Sequence, residues 1–232
     1  MAKNKVFFGK DRHETAILID PDKFEVSRIR SLEKSVNRWQ PDYFFLGGSF
    51  LNRQFSGDLI GLLKQHFDLP VILFPGDLSQ LVAGADAVMF LSLLSGRNPE
   101  YLAGQQVKAA PLIRQMRLHP VPVAYLLIES GRTTSVQYIT QTLPLPPEKT
   151  DLIIATALAG QYMGMQAVYL EAGSGAKNPV PLATVKAVSE VLDIPLIVGG
   201  GIRDAGEIPA YYKAGANVVV VGSAVEKNWY PG

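Results

Sequence analysis

The sequence predicts an α/β fold, a closed (β/α)8 barrel of the TIM type in a single domain with a shortened last helix, on three observations. Eight short apolar runs recur along the 232 residues, helix-like segments alternate with them, and the turns after the last three runs are rich in glycine. An open doubly wound sheet is the rival arrangement, but the eight runs and the chain length favour closure. Residues 1–232 read as one domain, because no linker or low-complexity segment interrupts them.

In chain order the strands are Ala16–Ile19, Tyr43–Leu46, Val71–Phe74, Ala87–Leu91, Val121–Ile128, Ala167–Leu170, Leu196–Val198 and Val218–Val221. Near-continuous apolar content, instead of alternation, marks parallel strands covered on both faces. Between them, Ser27–Arg38 and Leu59–His66 carry apolar residues at helical spacing, and Ser79–Ala83 allows a single short turn. Tyr101–Arg117, Leu152–Met163, Pro181–Val191 and Ala205–Ala214 complete the helices. Pro181 suits a first helical turn, where its missing N–H costs nothing. The segment Ser130–Thr150 is too long for a plain connector and long enough to serve as a lid. Only about ten residues follow the last strand, so the final helix is expected to be short or absent.

Composition excludes several classes. Lys and Arg number 22 against 21 Asp and Glu, which argues against a general nucleic-acid binder. There is no cysteine, which removes disulfides, thiolate metal sites and cysteine nucleophiles and fits a reducing, cytoplasmic setting. The opening MAKNKVFFGKDRHE lacks the apolar run of a signal peptide, and no stretch approaches the roughly 20 apolar residues of a membrane span. A soluble protein without a membrane-spanning segment is expected.

Barrel enzymes place their chemistry at the C-terminal ends of the strands. His13, His66 and His119 each precede a strand and so fall on the opposite face, which leaves no histidine for acid–base or metal work. The C-terminal ends carry Asp20, Ser49, Glu129 and Glu171, and the last three read YLEAGSG (Tyr169–Gly175), VGGGIR (Val198–Arg203) and VGSA (Val221–Ala224). Each glycine cluster alone is explained equally well by a tight turn. Three at one rim, where barrels commonly hold phosphate, signal an oxyanion site. Asp20, in IDPDK, is either a hard oxygen ligand for Mg²⁺ or the opener of an Asx-type turn. Ser49 either accompanies the metal or caps the second helix. Glu171, between Leu170 and Ala172, is costly at a barrel mouth unless solvated, paired or used; a structural ion pair is its bland alternative. Tyr169 shares its side of the strand if the pleat persists. Leu73, Phe74, Met89, Leu91, Leu93 and Leu94 make the rest of the rim apolar, as a barrel core would, and this also permits a lipid-like substrate.

The set IDPDK, FLGGS, YLEAGSGA, LIVGGGIRDA and VVVGSAVE resembles the geranylgeranylglyceryl phosphate synthase family, which includes the bacterial heptaprenylglyceryl phosphate synthases. The resemblance runs from the first strand to the last. It implies a Mg²⁺-dependent prenyltransferase that joins a polyprenyl diphosphate to the 3-hydroxyl of sn-glycerol 1-phosphate, making an ether-lipid precursor. Carried over residue by residue, it implies that Asp20 and Ser49 hold the metal and that Glu171, beside Tyr169, takes the hydroxyl proton. It assigns Tyr169, Leu170, Glu171, Ala172, Gly173, Ser174, Gly175, Gly200, Gly201, Gly222 and Ser223 to glycerol phosphate. It also implies a homo-oligomer, a dimer or a hexamer. Some bacterial relatives carry a lysine where this chain has Leu18, which aligns the chain with the archaeal-type branch. The rival enzyme class, suggested by GGGIR alone, is another phosphate-binding barrel such as a sugar-phosphate isomerase. That chemistry wants an acid–base pair, for which only Glu171, Glu129 and Asp20 are available. A catalytically silent phosphate-binding barrel is the third class.

Overall fold

A computed structural model describes residues 7–52 and 56–227. Residues 1–6 of the opening segment and the last five residues lie outside them.

Eight parallel strands close in sequence order into one barrel, with β1 pairing β8 as well as β2. They are β1 Glu14–Ile19, β2 Tyr43–Leu46, β3 Val71–Leu73, β4 Ala87–Leu93, β5 Pro120–Leu127, β6 Ala167–Glu171, β7 Leu196–Gly199 and β8 Val218–Val221. Every strand end lies within two residues of the sequence expectation. β1 starts earlier because Glu14 and Thr15 are buried although polar, so an apolar-run criterion misses them.

The helices are α1 Ile29–Trp39, α2 Gly57–His66, α3 Gln105–Met116, α4 Ser135–Thr140, α5 Thr150–Tyr162, α6 Leu182–Ser189, α7 Ile208–Lys213 and α8 Ser223–Glu226. No α-helix follows β3, only a 3₁₀ turn over Leu78–Gln80. Three expected helices begin with a tighter or wider turn: 3₁₀ at Val26–Arg28 and Ala205–Glu207, π at Glu100–Gly104. Pro181 stands one position outside α6, its ψ of 137° extended, so it caps the helix instead of opening it. The segment after β5 is not a plain loop. It folds α4, and Leu145 bridges back to Ile128 in parallel.

Alternate side chains along each strand divide two layers. Ala16, Phe45, Ile72, Met89, Tyr125, Tyr169, Ile197 and Val220 fill the barrel, while Ile17, Phe44, Leu73, Leu126, Leu170, Val198 and Val219 pack beneath the helices. Most are fully buried, each contributing about 1.5–3 kcal/mol by leaving water. The N-terminal floor is plugged by Phe8, edge-on to Tyr43 and Phe45 at 5.6 and 6.0 Å. Tyr43 there donates to Glu14 Oε1 at 2.7 Å, and its hydroxyl lies against the Phe7 carbonyl. The histidines lie away from the mouth as expected: His13 stacks on Tyr212 at 4.7 Å, His66 contacts the Leu62 carbonyl, and His119 faces Phe7.

Candidate active site

The pleat of β6 sends Tyr169 and Glu171 inward together, the arrangement the spacing predicted. Glu171 is 6% exposed and makes no ion pair among the described residues; its Oε1 accepts the Gly173 N–H at 2.6 Å. Burial pushes its carboxyl above the usual carboxylate range, opposed by the Tyr169 hydroxyl and the Gly173 N–H. The bland alternative of a structural salt bridge is therefore not what holds this residue. The Tyr169 hydroxyl lies beside the carboxylate but outside good hydrogen-bond geometry, and its buried oxygen has no hydrogen-bond partner among the described residues. Both side chains rest on bare backbone. A Cβ at Gly199 would stand 2.4 Å from Tyr169 Oη, and the φ of +84° at Gly200 also suits glycine.

Around Glu171 opens a cleft of about 690 Å³. Gly173, Ser174, Gly175, Gly200, Gly201, Gly222 and Ser223 all line it. Among the described residues, no backbone carbonyl accepts the N–H of Gly201, Ile202 or Ser223, so these donors remain for a ligand. Two of the expected contacts do not reach the cleft with their side chains. Leu170 and Ala172 pack in the layer beneath the helices, because alternation along β6 turns them outward, and the Ala172 N–H is taken by the Gly199 carbonyl at 3.0 Å.

Asp20 lines the same cleft from the end of β1. The turn reading of this residue holds. Its Oδ1 accepts the Asp22 N–H at 3.0 Å, an Asx turn, while Oδ2 meets Lys23 Nζ at 3.0 Å. Lys23 also meets Glu226 of α8 at 2.9 Å, so one ammonium ties the first loop to the last helix. Burial pushes the Glu226 carboxyl up, against the pull of Lys23. Ser49 does not cap α2; Ser56 does, accepting the Asp58 N–H at 3.3 Å. Ser49 instead lines the cleft. Glu129 lies past the end of β5, exposed, with its carboxylate on the Gly131 N–H. It is remote from the role an isomerase would give it.

An apolar groove runs from the cleft between β3, β4 and α3, lined by Phe74, Met89, Leu91, Leu93, Tyr101 and Ile113 among others. Leu73 and Leu94 of the expected rim pack instead beneath the helices. Cleft and groove share Gly48, Ser49, Phe74, Tyr125 and Val136. At that junction Phe74 stacks on Tyr169, 5.5 Å between centroids and 19° between planes, and Tyr125 tilts against both. Tyr125 is a site residue that sequence reasoning passed over. It lies directly opposite Tyr169 in the β5–β6 register, and that parity was the available signal.

Residues 9–230 match the PcrB family. The chain belongs to the PcrB family. One relative, a geranylgeranylglyceryl phosphate synthase of Flavobacterium johnsoniae, is 48% identical over 213 residues, which span 92% of this chain and 88% of that one. A protein of the same name from Pyrococcus furiosus is 40% identical over 211 residues, 90% of this chain and 83% of its own. Among solved structures, (S)-3-O-geranylgeranylglyceryl phosphate synthase from Thermoplasma acidophilum, in complex with substrate sn-glycerol-1-phosphate, superposes with a TM-score of 0.85. It is 35% identical, with 94% of this chain and 88% of that chain covered.

Two hard-oxygen residues, Asp20 and Ser49, line the cleft, the number of protein donors that a Mg²⁺ shared with a phosphorylated ligand would call for. Ser49 stands at the junction and Asp20 in the cleft beside it, with Asp20 Oδ1 near the Gly48 backbone, 3.9 Å from where a Cβ would stand. Among the described residues no group of three His, Asp or Glu could hold a metal by itself. Mg²⁺ commonly uses one or two protein oxygens and takes the rest from water and substrate phosphates.

Proposed function

We propose that this PcrB-family chain joins a polyprenyl diphosphate of the geranylgeranyl type to the 3-hydroxyl of sn-glycerol 1-phosphate, releasing diphosphate. The observation that carries the reading is a buried carboxylate, Glu171, with no ion pair among the described residues, in an amide-lined cleft that adjoins an apolar groove. The names and the bound substrate of the relatives support it.

The glycine turns after β6, β7 and β8 hold the phosphate through backbone N–H groups. Glu171 takes the proton of the attacking hydroxyl, and its raised pKa brings it toward the range in which a general base works best. Phe74, Tyr125 and Tyr169 present ring faces where the allylic carbon gains positive charge, and they keep water from it. Asp20 and Ser49 would hold a Mg²⁺, which would supply charge neutralisation for the diphosphate leaving group. No helix of the described residues is long and apolar enough to cross a membrane. In this reading the enzyme works in the cytoplasm and assembles as a homo-oligomer.

The test is direct. The protein is incubated with sn-glycerol 1-phosphate, Mg²⁺ and prenyl diphosphates from farnesyl to heptaprenyl. Ether product with at least one donor is expected. Absence of product with all of them overturns the reading.

A further inference from the structure

Gln80 is 1% exposed, lines neither the cleft nor the groove, and nonetheless spends its whole amide on the junction between them. Its Oε1 accepts two backbone N–H groups, Gly48 at 3.1 Å and Gly76 at 3.2 Å. Its Nε2 donates to the Gly48 carbonyl at 2.7 Å. Two donors on one side and a carbonyl on the other fix which end of the amide faces which partner. The 3₁₀ turn delivers it inward because Asp77 caps that turn, accepting the Ser79 N–H at 2.7 Å.

The two loops it joins are pressed together with no side chain between them. A Cβ on Gly76 would stand 2.4 Å from the Gly48 carbonyl oxygen and 2.9 Å from that of Ser49. One of these loops carries Ser49 and flanks Asp20; the other, Pro75–Gly76, walls the groove. Backbone this bare has no rotamers or packing of its own to set its position, so the buried amide sets it.

We infer that Gln80 is a positioning residue for the prenyl diphosphate: by stapling Gly48 to Gly76 it fixes the rim where the polar head leaves the groove. This rests on the proposed prenyl transfer. The glycerol phosphate cradle belongs to β6, β7 and β8 and shares no residue with the staple, so the effect divides the two substrates.

Two variants test it. Gln80→Met keeps the length and removes all three bonds. The KM for geranylgeranyl diphosphate should rise on the order of tenfold, as expected for buried backbone groups left unpaired, with that for glycerol phosphate within about twofold. Gln80→Glu reproduces the donor–acceptor pattern only when its carboxyl is protonated, because an ionised oxygen would face the Gly48 carbonyl. Its activity relative to the wild type should therefore recover as pH falls. Equal KM changes for both substrates, or a Gln80→Glu to wild-type ratio flat with pH, would reduce Gln80 to a structural prop. If the wild type makes no ether product, the functional reading fails. The inference then stands or falls on calorimetric binding of a non-reactive geranylgeranyl diphosphate analogue, weakened in Gln80→Met or unchanged.

Discussion

Glu171 and Gly200 meet at the ends of the paired strands β6 and β7 so closely that a Cβ on Gly200 would stand 2.5 Å from Glu171 Oε1. The same methyl would come within 2.7 Å of the Gly173 nitrogen that this oxygen accepts. The proposed base and the turns proposed to hold phosphate thus abut directly. Gly200→Ala should cost about 1–3 kcal/mol through the strained φ alone and shift Glu171 off its amide. Thermal melting and glycerol phosphate affinity should fall together; a variant with wild-type values for both would show that the loop relaxes freely.

Glu171→Gln keeps the shape and loses the base. Turnover should fall by about 10²–10⁴-fold with glycerol phosphate binding retained. Stability should move the other way. The folded-state pKa lies above the unfolded one, so stability is present at low pH and lost as pH rises through the folded value. At neutral pH the wild type bears that cost and the glutamine variant does not. The variant should melt at or above the wild type there, and the gap should close in acid. A variant that is less stable at neutral pH and normal in single-turnover rate would remove Glu171 from the chemistry.

Asp20→Asn preserves the oxygen that accepts the Asp22 N–H and gives up the ion pair to Lys23. That pair is partly exposed, so stability should change by less than about 1 kcal/mol. Activity should drop steeply, and a higher Mg²⁺ concentration should be needed for half-maximal rate. An unchanged Mg²⁺ titration would leave Asp20 as a turn residue only.

Ser223→Asp sets a negative charge beside the free amides of the cradle. Like-charge repulsion at close range should raise the KM for glycerol phosphate several-fold or more and leave that for the prenyl donor nearly unaltered. Parallel increases for both would move the phosphate to another part of the cleft.

Tyr43→Phe probes the barrel floor. The Tyr43 hydroxyl opposes the burial that raises the Glu14 carboxyl, so its loss should raise that carboxyl further. Stability should fall by about 1–3 kcal/mol at neutral pH, less in acid, with kcat unchanged. A pH-independent loss would mean that Glu14 is neutral in both proteins.

The strands were legible because a residue buried on both faces of a parallel sheet has to be apolar whichever way it points, as in Val218–Val221. The pairing of Tyr169 with Glu171 followed from parity alone. What escaped was set by convergence of distant loops. Gln80 looks like any polar turn residue until Gly48 and Gly76 close over it, and Lys23 gives no hint in sequence of a partner at Glu226. Ser49 and Ser56 are equally good caps on paper, and only the start of α2 at Gly57 decides between them. Leu170 and Ala172 were swept into the site by a contiguous motif, although a strand offers the cleft only every second residue.

β8 is the last strand to leave the ribosome, and β1, the first, can close the ring only then. Until that moment the nascent chain has no Gly222–Ser223 turn and no Glu226 to hold Lys23, and Asp20 has no wall beside it. The proposed acceptor site is therefore completed only when β8 docks on β1, the strand pairing most distant in sequence among the described residues. A chain cut before β8 would lose the Gly222–Ser223 turn and the strand that closes the cleft beside Asp20 together.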